Sequence, residues 1–305
     1  MLVNIFSKRR EDMLSRYSEC RLCARLCGVD RTNDEVGFCR SLDTMKITRA
    51  ALHFWEEPII SGTRGSGTIF FSGCSLGCVY CQNSSISRNS VGTLVTAEEL
   101  SLEMLRLEAE GAHNINFVTP THFVPGISEA IVKARANGLS IPIVYNTGSY
   151  DTVDTVRSLE GLVDIYLPDL KYYRPESGAK LSYAKDYPTV ARAAIAEMVR
   201  QRPRPIVKDG IMREGVIVRI LLLPSHVAEA KLSLKHIYET YGDSVYISLM
   251  NQYTPMKGMV SPLDRTVTRA EYSELVSYAE RIGVTNAFIQ EGGTQSESFI
   301  PEFHV

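Results

Sequence analysis

The pattern of apolar and polar residues is regular over most of the chain. Beyond residue 67, short runs rich in β-branched residues alternate with stretches whose apolar residues recur at helical spacing. Strands are predicted near Thr68–Ser72, Asn114–Thr119, Ile141–Asn146, Leu162–Pro168, Val216–Leu223 and Val245–Met250. Helices are predicted near Thr96–Glu110, Val124–Asn137, Thr152–Leu159, Pro188–Gln201, Ala228–Tyr241 and Thr268–Ile282. This alternation predicts an α/β fold with a parallel sheet, a partial TIM-like barrel of about six βα units.

Two of the predicted helices carry explicit start signals. Thr96 with Glu99, and Thr268 with Glu271, have the spacing of a capping box, in which each side chain satisfies the other residue's N–H group.

The chain is predicted to divide into three parts. Residues 1–67 form a small cysteine-rich N-terminal cap, residues 68–290 form the barrel, and residues 291–305 form a tail. Within the barrel, the prolines and mixed charges of Arg202–Gly210 predict a loop.

Polar residues collect where the predicted strands end. The segments in question are Thr119-Pro120-Thr121-His122, Asn146-Thr147-Gly148, Asp169-Leu170-Lys171 and Asn251-Gln252-Tyr253. Because the carboxyl ends of parallel barrel strands meet on one face, we expect these groups to surround a single site. His122 is the candidate for moving a proton there, and Gln252 is a candidate for lining a cofactor or substrate pocket.

Composition and charge exclude several classes of protein. The chain has 305 residues, 44% of them apolar, and a formal net charge of −2. It therefore has no basic footprint for nucleic acid or anionic lipid, and it is too apolar for disorder. No apolar run is long enough to span a membrane, and the basic residues follow the first apolar run, the reverse of a signal peptide. These features predict a cytoplasmic protein.

The cysteines are the residues most informative about chemistry. All seven lie between Cys20 and Cys81, which argues against a disulfide framework and for metal binding. They form two groups, Cys20-x2-Cys23-x3-Cys27-x11-Cys39 and Cys74-x3-Cys78-x2-Cys81. We call these the four-cysteine group and the cysteine loop.

The cysteine loop follows directly on the first predicted strand. Three thiolates are one ligand short of saturating a [4Fe–4S] cluster, which leaves one iron open. The alternatives are a zinc site completed by a distant ligand, or buried cysteines that bind no metal.

The segment Gly73-Cys74-Ser75-Leu76-Gly77-Cys78-Val79-Tyr80-Cys81-Gln82-Asn83 resembles the cysteine loop of radical S-adenosylmethionine (SAM) enzymes. Over essentially the whole chain, the sequence is similar to homologues of the pyruvate formate-lyase activating enzyme, and most of all to their PflX-like branch. The residues that carry this likeness are Glu56-Glu57-Pro58, Gly65-Ser66-Gly67-Thr68, Gly111-Ala112-His113-Asn114, Val118-Thr119-Pro120-Thr121-His122 and Asp164-Ile165-Tyr166-Leu167-Pro168-Asp169.

The resemblance implies a mechanism. The open iron would chelate the amino and carboxylate groups of SAM, and reduction would cleave SAM to methionine and a 5′-deoxyadenosyl radical that abstracts hydrogen from a substrate. By the same resemblance, the cofactor-binding residues are Tyr80, Asn83, Asn146, Thr147, Asp169, Lys171 and Arg219. Arg219 interrupts an apolar strand and therefore needs a buried anionic partner. That partner is either SAM or a structural carboxylate such as Asp169.

The sequence departs from the family at one place. Radical SAM enzymes usually carry a Gly-Gly-Glu motif after the second strand, whereas this chain has Thr119-Pro120-Thr121-His122 there. We therefore expect Thr119 and Thr121 to contribute to holding SAM. Asn146 removes a further negative charge, since the activating enzymes have Asp at that place.

The four-cysteine group has enough thiolates to close a coordination sphere. Either a second iron–sulfur cluster or tetrahedral zinc fits Cys20, Cys23, Cys27 and Cys39, and free structural cysteines are the third possibility. A second cluster would relay electrons or bind substrate, whereas zinc would fold the cap. The nearby Arg21, Arg25, Arg31 and Arg40 would offset thiolate charge, or they form a solvated basic face.

Three functions follow as hypotheses. The first is a radical SAM enzyme that, by analogy, activates a glycyl-radical protein, and the second is radical modification of a small molecule or peptide. The third is a non-catalytic iron–sulfur or zinc protein. The partners expected for the enzyme are an electron donor such as flavodoxin or ferredoxin and a protein or peptide substrate, with no nucleic acid and no membrane.

Overall fold

A computed structural model describes residues 14–290 and contains one large sheet. Its strands are β1 (Met45–His53), β2 (Ser66–Phe71), β3 (Thr93–Val95), β4 (Ile115–Val118), β5 (Ile143–Thr147), β6 (Ile165–Pro168), β7 (Ile206–Lys208), β8 (Ile211–Leu221), β9 (Tyr246–Met250) and β10 (Ala287–Ile289). Their order is β10-β9-β8-β6-β5-β4-β2-β1-β3, with β7 paired to β8.

The parallel part of the sheet confirms the predicted α/β barrel class. From β2 to β10, neighbouring strands along this order pair in parallel, and all six predicted strands are present. The short strand β10 adds a seventh member. Among the described residues β10 and β3 stay at opposite ends of the sheet, so the barrel is partial and open.

Helices follow the parallel strands, as the apolar spacing predicts. They are α1 (Pro58–Ser61), α2 (Ser84–Ser87), α3 (Ala97–Ala109), α4 (Val124–Ala136), α5 (Val153–Ser158), α6 (Pro175–Ser182), α7 (Tyr187–Gln201), α8 (Val227–Tyr241) and α9 (Arg269–Arg281). Both predicted capping boxes form, at the start of α3 and of α9. Short 3-10 turns occupy Ser15–Tyr17, Arg31–Asn33, Thr121–Phe123 and Gly242–Ser244.

The hairpin of β7 and β8 lies where the sequence predicted only a loop. Its two strands are joined by Asp209-Gly210, whose φ angles of 52° and 76° are both positive. This is the backbone that an Asp-Gly hairpin turn requires. The prediction for Arg202–Gly210 was therefore wrong in part, because the prolines precede β7 and only the residues after them pair with β8.

The N-terminal segment joins the sheet before the cysteine loop begins. Strand β1 pairs antiparallel with β2, and β3 pairs antiparallel with β1. The expected division at residue 67 falls inside β2, while the expected tail over residues 291–305 lies outside the described residues.

Two apolar layers surround the sheet. The larger layer packs between the sheet and its outer helices. The smaller layer fills the interior of the open barrel with residues that alternate along the strands. It contains Ile60, Val144, Ile165, Leu167, Met212 and Ile217. Ile60 comes from α1, which enters the barrel from the N-terminal side and contacts β8.

Within residues 14–290, none of the helices is both long and apolar enough to cross a lipid bilayer.

We predict that Ile60→Ala destabilises the protein by about 2–5 kcal/mol, because Ile60 is fully buried and its loss leaves a cavity inside the barrel. Chemical denaturation measures the difference. The matched control is Val260→Ala, at a side chain that is 77% exposed, where we expect little change. If Ile60→Ala lost as little unfolding free energy as the control, the packing of Ile60 in the interior apolar layer would not stabilise the barrel.

Candidate active site

The cysteine loop leaves the end of β2 through a glycine. Gly73 has φ of 85°, and a Cβ at this position would lie 2.5 Å from the carbonyl oxygen of Cys39. Glycine is therefore required twice here, by its backbone angle and by the close approach of another segment. Farther along the loop, the N–H group of Val79 donates to the carbonyl of Leu181.

The three sulfurs of the loop lie close together and are surrounded by donors. Burial raises the pKa of Cys74 to about 12, and the neighbouring thiols of Cys81 and Cys78 add to this rise, whereas Lys171 opposes it. An N–H or O–H group contacts each sulfur. These contacts are Leu76 N to Cys74 at 3.3 Å, Ser182 Oγ to Cys78 at 3.0 Å and Ser87 Oγ with Cys81 at 3.5 Å. Hydrogen bonds of this kind stabilise thiolate ligands of an iron–sulfur cluster, so the donor set fits such a group.

A cavity of about 230 Å³ opens beside this loop at the carboxyl ends of the strands. We call it the strand-end cavity. Of the predicted site residues, it is lined by Cys78, Tyr80, Cys81, Asn83, Asn146, Asp169, Lys171, Arg219 and Gln252. Polar residues at the ends of β5, β6 and β9 therefore line one cavity, whereas those that follow β4 do not. Trp55 and Glu56 also line it, from the segment before β2.

Arg219 is at the centre of the polar groups in this cavity. Its Nε donates to Asp169 Oδ1 at 2.7 Å and its Nη2 donates to Asn146 Oδ1 at 2.6 Å, while Nη1 lies 3.5 Å from Glu56 Oε2. The predicted pairing with Asp169 is thus present. Lys171 Nζ donates to the other Asp169 oxygen at 2.6 Å. Burial would raise the pKa of Asp169, but Arg219 and Lys171 outweigh it, and the pKa is lowered.

Sequence analysis did not single out Glu56 and Glu57 as site residues. Glu56 Oε1 accepts from Asn116 Nδ2 at 3.0 Å and from Asn146 Nδ2 at 3.5 Å, which holds the carboxylate inside the barrel. Burial raises the pKa of Glu57 to about 7, against the lowering effects of Arg219 and of the Ser248 hydroxyl. The motif Glu56-Glu57-Pro58 was the available signal, but only the fold reveals that it reaches the site.

Four of the predicted strand-end residues, three threonines and one histidine, do not line the strand-end cavity. Thr147 donates to Asp151 at 2.7 Å, the Thr121 hydroxyl lies 3.4 Å from that of Thr147, and the N–H group of Thr119 bonds to the Asn146 carbonyl. These contacts hold the strand ends together. Binding of SAM by the three threonines remains a prediction.

His122 is the fourth of these residues. It is 1% exposed, and its Nε2 lies 2.7 Å from the Ser72 carbonyl, behind the cysteine loop. Burial lowers the pKa of His122 to about 3, and Arg31 lowers it further. The histidine is therefore neutral at physiological pH, and its position does not support a role in moving protons within the cavity.

Tyr80 is fixed by a chain of hydroxyl groups. Its hydroxyl lies 2.7 Å from that of Tyr172, which in turn lies 2.7 Å from Ser182 Oγ. Because Ser182 Oγ also donates to Cys78, the ring that lines the cavity is connected to a sulfur of the cysteine loop.

The four-cysteine group packs directly against the cysteine loop. Burial raises the pKa of Cys23 to about 12, and the neighbouring thiols of Cys39, Cys20 and Cys27 add to this rise, so the four side chains lie near one another. Arg25 bridges the two groups by donating to the Ser75 carbonyl at 2.9 Å.

Arg25 also contacts residues outside the cysteine loop. Its guanidinium donates to the Ser182 carbonyl at 3.1 Å and lies 3.8 Å over the ring of Phe38. Arg31 is 1% exposed and donates to the carbonyls of Ser41 and His122. These two arginines therefore tie the N-terminal segment to the barrel instead of forming a solvated basic face.

Among residues 14–290, no three His, Cys, Asp or Glu side chains are arranged as ligands of a single metal ion. A cluster distributes its cysteines over several iron atoms, so this finding concerns single-ion sites. The metal of the four-cysteine group remains a prediction.

Comparison with known proteins agrees with this geometry. Residues 68–212 match the family model described as the Radical SAM superfamily. These residues include the cysteine loop and the strand ends that carry Asn146 and Asp169.

One curated protein is similar over most of the chain. It is the uncharacterized protein MJ0674 of Methanocaldococcus jannaschii, 28% identical over 289 residues, which cover 91% of this chain and 79% of that protein.

Solved structures share the fold at low identity. SuiB of Streptococcus suis bound to S-adenosylmethionine has a TM-score of 0.51 at 10% identity, and the match covers 75% of this chain and 50% of SuiB. This chain thus spans half the length of that protein. A radical SAM methyltransferase from Sphaerobacter thermophilus has a TM-score of 0.50 at 12% identity, covering 93% of this chain and 89% of the other. Both likenesses concern the fold.

We predict that Glu57 makes the stability of the protein depend on pH. Its pKa is raised to about 7 in the folded state, so its contribution is fully present below its unfolded pKa of about 4.5 and is lost as the pH rises to about 7. Glu57→Gln should remove this loss. Chemical denaturation at about pH 5 and about pH 8 should therefore show that the variant loses less stability than wild type across this range, by up to roughly 3 kcal/mol. The exposed Glu176→Gln variant serves as control, and equal losses in all three proteins would contradict the burial of a neutral Glu57 carboxyl.

Proposed function

We propose that this protein, which carries a radical SAM superfamily domain over residues 68–212, is a radical SAM iron–sulfur enzyme. When bound, a [4Fe–4S] cluster on Cys74, Cys78 and Cys81 would supply the electron that cleaves SAM to methionine and a 5′-deoxyadenosyl radical, which abstracts hydrogen from a substrate. The observation that carries this proposal is the strand-end cavity, because it joins the cysteine loop to the polar ends of β5, β6 and β8.

The residues of the cavity have distinct tasks in this proposal. The donors on the three sulfurs stabilise thiolates, and Lys171 adds positive charge beside them. Arg219 orients Asp169 and Asn146 toward the cofactor. Tyr80 offers an aromatic surface to the adenine, and Asn83 and Gln252 offer amide groups at the wall of the cavity.

The substrate class follows at present only from the sequence resemblance. By analogy with the pyruvate formate-lyase activating enzymes and their PflX-like branch, activation of a glycyl-radical protein is the first candidate. Radical modification of a small molecule or peptide is the second, because one fold supports many reactions.

For the four-cysteine group, we propose a second iron–sulfur cluster, with zinc as the alternative. Close packing of this group against the cysteine loop supports a relay of electrons between the two sites. The electron donor would be a flavodoxin or ferredoxin. Clusters and free thiols of this kind persist in a reducing compartment, so we assign the reaction to the cytoplasm.

We predict that the anaerobically reconstituted protein forms 5′-deoxyadenosine from SAM when it is reduced with dithionite. Cys74→Ala should abolish the product, because the cluster then loses one of its three ligands. Chromatography of the quenched reaction measures the product. No 5′-deoxyadenosine above the Cys74→Ala background would refute the catalytic proposal and favour a non-catalytic metal protein.

Metal analysis of the same sample tests the four-cysteine group. Two clusters predict about eight irons per chain and no zinc, whereas the alternative predicts about four irons and one zinc. In Cys23→Ala, about four irons should remain, on the cysteine loop. If this variant kept all the iron of wild type, the four-cysteine group would not hold a cluster.

A further inference from the structure

A second cavity, of about 490 Å³, adjoins the strand-end cavity on the open side of the barrel. We call it the lateral cavity, since it lies between the segment Phe54–Gly62 and strand β10. Five residues line both cavities, and they are Trp55, Glu56, Arg219, Met250 and Gln252. Residues of the cysteine loop line only the strand-end cavity. A molecule in the lateral cavity would therefore contact a second molecule bound in the strand-end cavity, and the two would occupy separate volumes.

The walls of the lateral cavity are largely apolar and aromatic toward solvent. Phe54 is 49% exposed, Trp55 is 61% exposed, and Phe288 and Ile289 come from β10 on the other side. The volume falls in the range of about 300–1,000 Å³ that is common for small-molecule sites. Aromatic side chains at an entrance favour apolar groups and also attract cations.

The inner end of the lateral cavity carries more carboxyl groups than cations. Across the two cavities, the carboxyl groups are those of Glu56, Glu57 and Asp169, and the cations are those of Lys171 and Arg219. Both cations contact Asp169, and Arg219 also approaches Glu56. Among the residues described, Glu57 makes no such contact: Arg219 acts on it only at longer range and does not offset the effect of burial on its pKa. Its side chain is 8% exposed, and of the two cavities it lines only the lateral one.

Beside Glu57 lies a second buried polar group. Ser248 is fully buried, and its hydroxyl lies near enough to Glu57 to lower the pKa of that carboxyl, although within residues 14–290 its Oγ makes no hydrogen bond of ordinary geometry. On β9 it lies between Tyr246, which packs on the interior apolar layer, and Met250, which lines both cavities, so all three face the barrel interior. A buried oxygen without a partner is costly unless a ligand or water satisfies it.

An oxygen without a hydrogen bond also lies in the barrel interior, at a residue that lines neither cavity. Asn116 is also fully buried, and its Oδ1 lacks a partner within the described residues while its Nδ2 bonds to Glu56. The lateral cavity therefore presents the Glu57 carboxyl, with the Ser248 hydroxyl beside it. Burial raises the pKa of this carboxyl to about 7, and a primary ammonium group, which has three donors and a positive charge, would stabilise its ionised form.

We propose that the lateral cavity binds a substrate with a primary amine, with its ammonium group on Glu57 and its apolar part against Trp55 and Phe288. This proposal rests on the proposed function, since it names the class of molecule from which hydrogen is removed. The alternative is that Glu57 binds the ammonium group of SAM and not that of a substrate. Glu57 lines the lateral cavity and not the strand-end cavity, which assigns the group to the substrate.

The single tryptophan of the chain, Trp55, offers a direct measurement. Titration of the anaerobically reconstituted full-length protein with n-butylammonium should change Trp55 emission to saturation, whereas n-butanol should bind more weakly. Glu57→Gln should weaken n-butylammonium binding by about tenfold or more, because it removes a charge-assisted hydrogen bond. Glu176→Gln, at an exposed glutamate, should bind the probe as wild type does.

Ser248→Ala is a second variant that retains Glu57, and it should weaken binding a few-fold. The proposal is overturned if n-butanol binds as well as n-butylammonium, or if folded Glu57→Gln keeps wild-type affinity. A parallel titration with SAM separates the two sources of ammonium. If Glu57→Gln weakens SAM binding as much as amine binding, Glu57 serves the cofactor and the assignment to the substrate is wrong.

Failure of this inference is distinguishable from failure of the proposed function. Amine binding is measured without turnover, whereas the proposed function is tested by 5′-deoxyadenosine formed from SAM alone. A protein that forms 5′-deoxyadenosine but shows no dependence of amine binding on Glu57 would refute only the inference.

Discussion

A buried guanidinium must be surrounded by acceptors, and this requirement organises the barrel interior around Arg219. The arginine extends from β8 and is held by Asp169 after β6, Asn146 in β5 and Glu56 in the segment before β2. Removing one member of such a set leaves the others buried and unpaired, which is far more costly than losing a surface ion pair. The same contacts fix the directions of the side chains that line the strand-end cavity. Stability of the open sheet and geometry of the site therefore depend on one set of interactions.

The sequence predicts those parts of the fold that depend on interactions within a short segment, such as apolar periodicity and helix capping. The six strands and their helices follow from apolar periodicity, and Thr96 and Thr268 mark helix starts because capping is satisfied within one turn. Strand β1 was missed because eight of its nine residues are only partly buried, which hides the alternation. The cysteine loop was identified because its ligands lie within eight positions of each other. Glu56 was missed because its role depends on a segment that crosses the barrel interior.

The long-range contacts also explain why charge near the four-cysteine group was ambiguous in the sequence. Arg25 and Arg31 are neighbours in a basic segment, and nothing local distinguishes them from the solvated Arg21. Only the fold supplies the carbonyls of Ser75 and Ser41 as their acceptors. Likewise, the histidine and threonines after β4 are polar residues at a barrel mouth, yet their bonds are directed to neighbouring backbone and strands. Position at a strand end indicates proximity to a site but does not decide which side chains face it.

The contact of Cys39 with Gly73 has a consequence for how the protein folds. The carbonyl of Cys39 occupies the space that a side chain at residue 73 would need, immediately before Cys74. The backbone at Cys39 therefore fits against the start of the cysteine loop, and each segment needs the other in place to adopt this conformation. Folding brings the two segments together in one step, and a side chain at residue 73 would displace one from the other.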